Sequence, residues 1–374
     1  MALIINEEQQ MLKTSARDFL KAKSPITELR RLRDTQDPLG YDPQVWAEMA
    51  EMGWASLAIP EAYGGLGFGY TGLGQILEEM GRTLTASPMV ATVLLCATAI
   101  EKSTNLLQKE ACLGAIAEGK LIMAFAHEEG NFHQSAAQNV KANPDGDDYL
   151  ISGTKHFVLD GHIADKLVVS AFSEGVQKTM LFVVDTKASG ININKTEMMD
   201  SRNAATISFD NVKVSAADRL ESGDEHSLLD YTLDVARIGL AAEMLGGITE
   251  AFDRTLVYLK ERQQFGVPIG SFQALQHRMA IMFGEIELCK SVVIKALQAI
   301  DGGSSDLGYL ASLAKAKLGQ TYKLVSNEGI QMFGGIGMTD DEEIGFFLKR
   351  ARVAQQSFGD TNFHLDRLAN LKGY

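Results

Sequence analysis

The chain has 374 residues, of which 45% are hydrophobic and 22% are charged, a balance typical of a soluble globular protein with a sizeable core. The formal net charge is −13, which argues against nucleic acid as a partner, because phosphate groups are neutralised by a basic surface. It argues more weakly against binding to an anionic membrane, and it leaves small anionic ligands open because local cations hold those.

The first part of the chain, to about Gly119, has a helical pattern. Apolar residues recur near a 3.6-residue period from Ile4 to Leu20 and again in four later segments: Val45–Met52, Ile76–Met80, Val90–Ile100 and Leu106–Ala117. Five glycines between Pro60 and Gly74 predict a non-helical loop there. The acidic start lacks a basic signal-peptide region, and the apolar run Met89–Ile100 is too short to span a bilayer, so we expect a cytoplasmic protein.

From about Lys120 to Leu220 the pattern changes to β. Short runs rich in β-branched and aromatic residues alternate with turn-forming residues, and the runs are Tyr149–Ile151, Leu167–Phe172, Met180–Asp185, Ile191–Asn194 and Thr206–Phe209. Turns are predicted at Asn143–Gly146 and Ala188–Gly190. Strands of this length and spacing indicate a small barrel or sandwich.

After His226 long helical patterns return, over Ser227–Leu259, Phe272–Ile300, Leu307–Met332 and Glu342–Gln356. Four amphipathic helices with short connections predict a bundle. We therefore predict three domains: an N-terminal helical domain (1–119), a small β-barrel or sandwich (120–219) and a C-terminal four-helix bundle (220–374). The three cysteines are widely spaced, form no Cys/His cluster, and predict neither a disulfide framework nor a metal site.

Two segments in the C-terminal region could contact a ligand. The first, Arg262–Gln273, lies between two helices; its Arg can hold a phosphate with two hydrogen bonds, Gln264 can add another, and Ser271 is a suitable N-cap for the following helix. The second, Gln331–Gly337, carries three glycines that allow close approach of a ligand to the backbone. Each segment alone is more often structural than ligand-binding, and neither matches the nicotinamide-binding GxGxxG pattern.

Taken together, Arg-x-Gln-Phe-Gly-x-Pro-Ile-Gly-x-Phe-Gln and Gln-x-Phe-Gly-Gly-x-Gly resemble the C-terminal domain of the acyl-CoA dehydrogenases. The segments Ile59–Gly67 and Glu78–Arg82 resemble the first domain of that family, so the resemblance covers essentially the whole chain. It implies an oxidoreductase that uses FAD for α,β-dehydrogenation of an acyl-CoA thioester in acyl-CoA or fatty acid catabolism, with electron-transfer flavoprotein as acceptor. A carboxylate of such an enzyme removes the α-proton while the β-hydrogen leaves as hydride.

The resemblance also implies roles for individual residues. Arg262 would hold the flavin pyrophosphate, and Phe265 would line the adenosine. Gln264 and Thr361 are further flavin contacts expected from the C-terminal region. Gln331, Gly334 and Gly335 would contact the flavin of a neighbouring subunit. Arg237 matches an arginine of the substrate site.

The expected catalytic base is missing. The family carries Glu in a Tyr-Glu-Gly-Thr segment, and here Phe358 occupies the position of that Glu. An alternative family position, directly before Arg237, holds Ala236. Asp360 is the nearest carboxylate and is our candidate base, although its place before a helix also fits an N-cap.

The β region departs from the family pattern as well. The Thr-Glu-Pro motif beside the flavin is replaced by His127-Glu128-Glu129, and the Trp-Ile-Thr motif by Phe157-Val158-Leu159. We predict that Phe157 packs on the flavin and that His127 replaces a lost polar contact, while a structural role for His127 is the more common outcome for a lone His in a strand.

Three functional hypotheses follow from these residues. The chain is a working acyl-CoA dehydrogenase, either as a homo-oligomer or as a subunit beside a second family member; or it is a non-catalytic subunit that completes the flavin site of a heteromeric enzyme; or it is a flavin oxidase or monooxygenase on the same fold. The missing base favours a subunit that needs a partner.

Overall fold

The elements follow the predicted order of helices, then strands, then helices. The computed structural model describes residues 3–223 and 227–374. The helices are α1 (Glu7–Lys23), α2 (Ile26–Asp34), α3 (Pro43–Glu51), α4 (Tyr70–Thr83), α5 (Thr98–Lys102), α6 (Leu106–Ala117), α7 (Leu228–Glu261), α8 (Gln273–Asp301), α9 (Leu307–Phe333), α10 (Ile344–Gln356) and α11 (Thr361–Leu371), with a π-helix at Met89–Ala97. The strands are β1 (Met123–Ala126), β2 (Lys141–Asp145), β3 (Asp148–Leu159), β4 (Lys166–Ser173), β5 (Lys178–Asp185), β6 (Ile191–Glu197), β7 (Asn203–Val214), β8 (Arg219–Leu220), β9 (Gln263–Gln264) and β10 (Val267–Pro268).

These elements form two compact units. The first unit contains the described residues up to Arg31 together with residues 70–85 and 237–374, and the second contains residues 32–69 and the described part of 86–236. The three-domain division at 1–119, 120–219 and 220–374 remains our proposal. In the part of the chain that the structure describes, no helix is long and apolar enough to cross a membrane.

In the first unit, α4 and α7 cross at two glycines. A Cβ added to Gly81 would lie 1.9 Å from the carbonyl oxygen of Glu243, and one added to Gly246 would lie 1.7 Å from that of Glu78. The backbones therefore touch at a distance that no larger residue permits. Ion pairs of Lys13 with Glu78 (2.5 Å) and of Arg17 with Glu79 (2.7 Å) bind α1 to α4.

The second unit is built around an eight-stranded sheet. Its order is β6-β7-β3-β2-β4-β5-β8, and β1 pairs in parallel with β4. Strands β4 and β5 are antiparallel over their whole length, and alternate side chains of each strand enter the core, as a period of two requires. These inward residues are Leu167, Val169, Ala171, Met180, Phe182 and Val184.

Three local predictions were wrong. The glycine-rich loop ends at Gly69, because Gly72 and Gly74 lie within α4; a Cβ on Gly74 would meet Leu297 at 2.3 Å, so packing selects glycine inside this helix. Ser271 is not the N-cap of α8, since Phe272 holds that position and the Ser271 hydroxyl donates to the Pro268 carbonyl. Within the predicted Asn143–Gly146 turn, residues 143–145 belong to β2.

Candidate functional site

The two predicted ligand segments of the first unit begin at neighbouring helix ends. The ring of Tyr258, near the end of α7, stacks on Phe333 at the end of α9 with ring centroids 4.2 Å apart. The Tyr258 hydroxyl also donates to the Phe333 carbonyl at 3.3 Å. Because Arg262 follows one helical turn after Tyr258 and Gly334 follows Phe333 directly, this contact places the two segments side by side.

The first segment forms an exposed β-hairpin. Strands β9 and β10 pair on either side of Phe265 and Gly266, whose φ angles of 55° and 78° are those of a type I′ turn. The Phe265 side chain is 92% exposed at the tip. Arg262 and Gln264 are also exposed, and within residues 3–223 and 227–374 no hydrogen bond or ion pair engages the Arg262 guanidinium.

The second segment offers open backbone. Gly334 has φ 67° and ψ −139°, a conformation that strongly favours glycine. A Cβ added to Gly334 or Gly335 would meet no atom within 4 Å, and Gln331 is exposed one turn earlier. A free guanidinium, an exposed aromatic ring and an open glycine backbone suit the pyrophosphate and the adenine ring of a dinucleotide, so this part of the chain fits FAD.

The turn that carries Phe358 is held by its backbone. Phe358 has a left-handed φ of 59°, and its carbonyl oxygen accepts hydrogen bonds from Arg237 Nε (3.0 Å) and from His364 Nε2 (3.1 Å). Arg237 is buried. The side chain of Asp360 caps α11, since its Oδ1 accepts from the Phe363 amide at 2.8 Å. Asp360 is therefore the N-cap of α11, as its position before a helix suggested. Its role as catalytic base stays a prediction.

Three further buried or half-buried groups surround this turn. Thr361 is half-buried at the start of α11. Lys315 of α9 is buried and donates to the Ala354 carbonyl at 2.5 Å. Burial, together with the charges of Arg237 and Arg350, lowers the pKa of Lys315 to about 7. Lys315 therefore loses its charge close to neutral pH. Glu243 and Arg350 form a buried, bidentate ion pair (2.9 Å).

In the second unit, Phe157 projects from a bulge in β3. The pairing of β3 with β7 shifts register between Lys155 and Val158, and Phe157 has a left-handed φ of 50° with 46% of its side chain exposed. Bulges of this kind redirect a side chain out of the sheet. An exposed aromatic ring at this point is compatible with packing on a flavin, and that role stays a prediction.

His127 is placed differently from Phe157. It is buried, with Nδ1 2.9 Å from Ser170 Oγ and Nε2 2.7 Å from the Gln134 carbonyl oxygen. Burial lowers the pKa of His127 to about 4, so the ring is neutral at pH 7. Both ring nitrogens have hydrogen-bond partners in the second unit, so neither is free to bond a flavin. A flavin contact for His127 therefore stays a prediction.

Sequence reasoning missed the ion pair beside His127. Lys155 Nζ lies 2.8 Å from Glu129 Oε1, and both side chains are buried. Burial lowers the pKa of Lys155 to about 8 although Glu129 opposes the shift. The period of β3 gave no clear signal for this ion pair, because the register of β3 shifts between Ile151 and Gly153, before Lys155 is reached.

A groove of about 740 Å³ opens in the second unit. It lies between the segment 135–138, strand β5 and the start of α7, and its polar lining includes Lys178, Thr179, Arg219, Ser227 and Asp230. Its volume is that of a small-molecule site. Arg219 donates to the Tyr149 hydroxyl (3.0 Å) and is ion-paired with Glu221, whereas Lys178 is exposed, so Lys178 is the cation available to an anionic ligand.

Comparison with known proteins matches three family models along the chain. They are "Acyl-CoA dehydrogenase, N-terminal domain" over residues 6–120, the middle domain over 123–212 and the C-terminal domain over 227–371. A 3-(aryl)acrylate reductase of Clostridium sporogenes is 30% identical over 365 residues, 94% of each chain. The caffeyl-CoA reductase-Etf complex subunit CarC of Acetobacterium woodii is 29% identical over 364 residues, also 94% of each. The solved "Tcur3481-Tcur3483 steroid ACAD" is 33% identical with a TM-score of 0.90, covering 98% of each chain.

Proposed function

The chain belongs to the acyl-CoA dehydrogenase family, and on this premise we propose that it takes part in FAD-dependent α,β-dehydrogenation of an acyl-CoA thioester as one subunit beside a second family member. Members of the family are FAD-dependent oxidoreductases that act on acyl-CoA. The observation that carries the finer proposal is the Phe358 turn, since the sequence resemblance assigns to this apolar residue the position of the family's catalytic Glu.

The residues of the first unit would hold the flavin. The Arg262 guanidinium would bind the pyrophosphate, Phe265 would pack on the adenosine, and the open backbone at Gly334 and Gly335 would lie against the dinucleotide of a neighbouring subunit. Gln264 and Gln331 are exposed beside them and would add hydrogen bonds. When bound, FAD would supply the hydride acceptor of the reaction.

The proton-abstracting group is proposed to come from the partner. Phe358 cannot accept a proton, and the Asp360 carboxylate is engaged as a helix cap. The Nε of the buried Arg237 donates to the Phe358 carbonyl. Arg237 would therefore contribute to a substrate site by fixing this turn. One relative supports a paired assembly by its name, since "Tcur3481-Tcur3483" joins two designations.

The groove of the second unit is our candidate for the polar part of the CoA thioester. An extended chain fits a volume of about 740 Å³, and the Lys178 ammonium would neutralise a phosphate at its edge. For the electron acceptor we propose electron-transfer flavoprotein, in line with the relative named as a subunit of a caffeyl-CoA reductase-Etf complex.

The proposal is tested by anaerobic mixing of the purified chain with straight-chain, branched and arylpropanoyl-CoA thioesters while flavin absorbance is followed. We expect bound FAD that is not bleached by any thioester in the wild-type chain, and bleaching after co-purification with a family member that carries the Glu. The variant Phe358→Glu should acquire bleaching alone. Bleaching by the wild-type chain that is lost in Asp360→Asn would instead establish Asp360 as the base.

A second function is supported by the same turn. If the chain binds FAD only within a heteromer and Phe358→Glu does not increase the flavin bleaching of that heteromer, its role is to complete and stabilise the flavin site of the catalytic subunit. The two hydrogen bonds that Arg237 and His364 donate to the Phe358 carbonyl, together called the Phe358 clamp, favour this possibility. They keep the turn in place whatever side chain stands at position 358. Equilibrium dialysis of FAD against the isolated chain and the heteromer separates the two functions.

A further inference from the structure

Three potential metal ligands meet in the second unit, directly after β1. His127 and Glu128 are adjacent in sequence, and His133 returns to them after a four-residue bend. Each offers one ligand atom, and the three atoms lie within 4.8 Å of one another. We propose that His127, Glu128 and His133 form a binding site for one divalent first-row transition-metal ion such as Zn²⁺. The site does not depend on the flavin function proposed above.

The hydrogen bonds of the Glu129 side chain hold the loop that carries these ligands. The Glu129 carboxylate accepts hydrogen bonds from the backbone amides of Gln138 (2.9 Å), Asn139 (2.7 Å) and Val140 (3.1 Å) as well as from Lys155. The backbone of Glu128 is held too, since its carbonyl accepts from the His156 amide at 2.8 Å. The ligands are therefore positioned by the fold, which reduces the entropy lost on binding an ion.

The three ligand side chains are largely shielded from solvent, and one of them is a carboxylate. Those of His133 and Glu128 are 3% and 19% exposed, and His133 Nδ1 lies 2.6 Å from Glu128 Oε1. The Glu129 carboxylate is paired with Lys155, whereas, among the described residues, the Glu128 carboxylate has only His133 as its ion-pair partner and is the anionic ligand offered to a cation.

His127 can ligate without losing a hydrogen bond on its other nitrogen. Without an ion, the ring proton on Nε2 is donated to the Gln134 carbonyl. Ligation through Nε2 shifts that proton to Nδ1, where Ser170 Oγ accepts it at 2.9 Å. The Ser170 hydroxyl in turn donates to the Ala126 carbonyl, 3.4 Å away. A ring nitrogen that ligates while the other donates to the protein is the usual arrangement of metal-bound His.

The chemistry of the donors selects the class of ion. Two imidazole nitrogens and one carboxylate suit Zn²⁺ and its neighbours in the first row, whereas Mg²⁺ and Ca²⁺ prefer oxygen donors alone. The Gln134 carbonyl oxygen, 2.7 Å from His127 Nε2, is available as a fourth ligand once it no longer accepts the ring proton. Sequence alone did not predict this site, because His133 reaches His127 and Glu128 only through the bend that separates them in the chain.

The test is titration of the chelator-treated full chain with ZnCl₂ by calorimetry, and with CoCl₂ by visible absorption. We expect one equivalent of Zn²⁺, visible bands of four- or five-coordinate Co²⁺, and no displacement by millimolar Mg²⁺. His133→Ala and Glu128→Gln should each weaken binding at least about 10-fold, since even outer contacts of a metal site contribute that much. His156→Ala, which alters a neighbouring His outside the cluster, should bind as the wild type does.

Circular dichroism melts of each variant distinguish lost ligation from lost folding, and the Co²⁺ spectrum of the wild type needs no variant at all. The proposal is overturned if the wild type binds no equivalent of Zn²⁺, if His133→Ala and Glu128→Gln bind as tightly as the wild type while folded, or if Co²⁺ shows only the weak spectrum of the hexaaqua ion. In those cases the three residues form a hydrogen-bonded cluster only.

Discussion

Replacement of Lys315 by Met should stabilise the protein at pH 7. Lys315 is 2% exposed in α9, and its ammonium has a hydrogen bond to the Ala354 carbonyl while Arg237 and Arg350 lie close enough to repel it. Burial and this repulsion lower the pKa of Lys315 from 10.5 to about 7. Methionine has a similar length and volume and carries no charge, so the substitution removes the ammonium with little change in packing.

The size of the effect follows from linkage between protonation and folding. The unfolded chain binds the lysine proton up to a pH of about 10.5, and the folded chain only up to about 7, so protonation favours the unfolded state. The penalty on folding is fully present below pH 7 and fades as the pH rises towards 10.5. At pH 7 it is about 4 kcal/mol, and at pH 10 about 1 kcal/mol.

The substitution also leaves the Ala354 carbonyl without its donor, which costs about 1–3 kcal/mol. The net expectation for Lys315→Met is a gain of about 1–3 kcal/mol in the free energy of unfolding at pH 7 and no gain at pH 10. Urea denaturation followed by circular dichroism at both values measures it. Lys323→Met is the matched control, because Lys323 is exposed on the same helix and should change the free energy of unfolding little at either pH.

Two results would contradict a strongly lowered pKa of Lys315: a Lys315→Met variant that is less stable than the wild type at pH 7, or a difference in stability that is the same at pH 7 and pH 10. The first result would mean that the ammonium is stabilised by its surroundings. The second would mean that Lys315 keeps an ordinary pKa in the folded protein.

Further predictions concern the helix crossing, the buried ion pair and the hairpin. Gly246→Ala should lower the free energy of unfolding by several kcal/mol, on the order of 3, because its methyl group meets a backbone carbonyl of α4; Gly284→Ala, where a Cβ meets nothing within 4 Å, should be neutral or stabilising in the same urea titration. Glu129→Ala should destabilise by about 3–5 kcal/mol, since Lys155 stays buried without its partner; a loss below 1 kcal/mol in thermal and urea unfolding would contradict the pairing. Arg262→Ala should weaken FAD binding about 10- to 100-fold, and Arg262→Lys should restore part of it; equal FAD dissociation constants for wild type and both variants would remove Arg262 from the flavin site.

Hydrophobic periodicity was sufficient to predict the order of elements and most of their extents. The predicted segment Leu106–Ala117 matches α6 end for end. What periodicity could not supply was the reason for a glycine inside a helix. Gly72 and Gly74 read as loop residues because the neighbour that excludes a side chain at Gly74, Leu297, is more than two hundred positions away.

In the candidate site, too, features formed by consecutive residues could be predicted from the sequence, whereas contacts between residues far apart in the chain could not. Motifs could point to Arg262 and Gly334 as candidates, because each lies in a loop whose pattern is formed by consecutive residues; their contact with the flavin stays a prediction. The clamp on the Phe358 carbonyl joins a backbone atom to Arg237 across 121 positions, and no side-chain pattern encodes a backbone acceptor. The buried Glu129–Lys155 pair was equally hidden, since charged residues in a strand are normally expected on its solvent face.

The division of the chain between its two units has a consequence for synthesis on the ribosome. Helices α1 and α4 emerge early and can pair at once through the Lys13–Glu78 and Arg17–Glu79 contacts. Glu243, the residue of α7 that meets Gly81, is translated only after more than 150 further residues. Until then Gly81 of α4 has no partner from α7, and residues 86–236 of the second unit are translated in the interval. A ribosome pause before α7 would therefore lengthen the exposure of Gly81, whereas a pause after α11 would not.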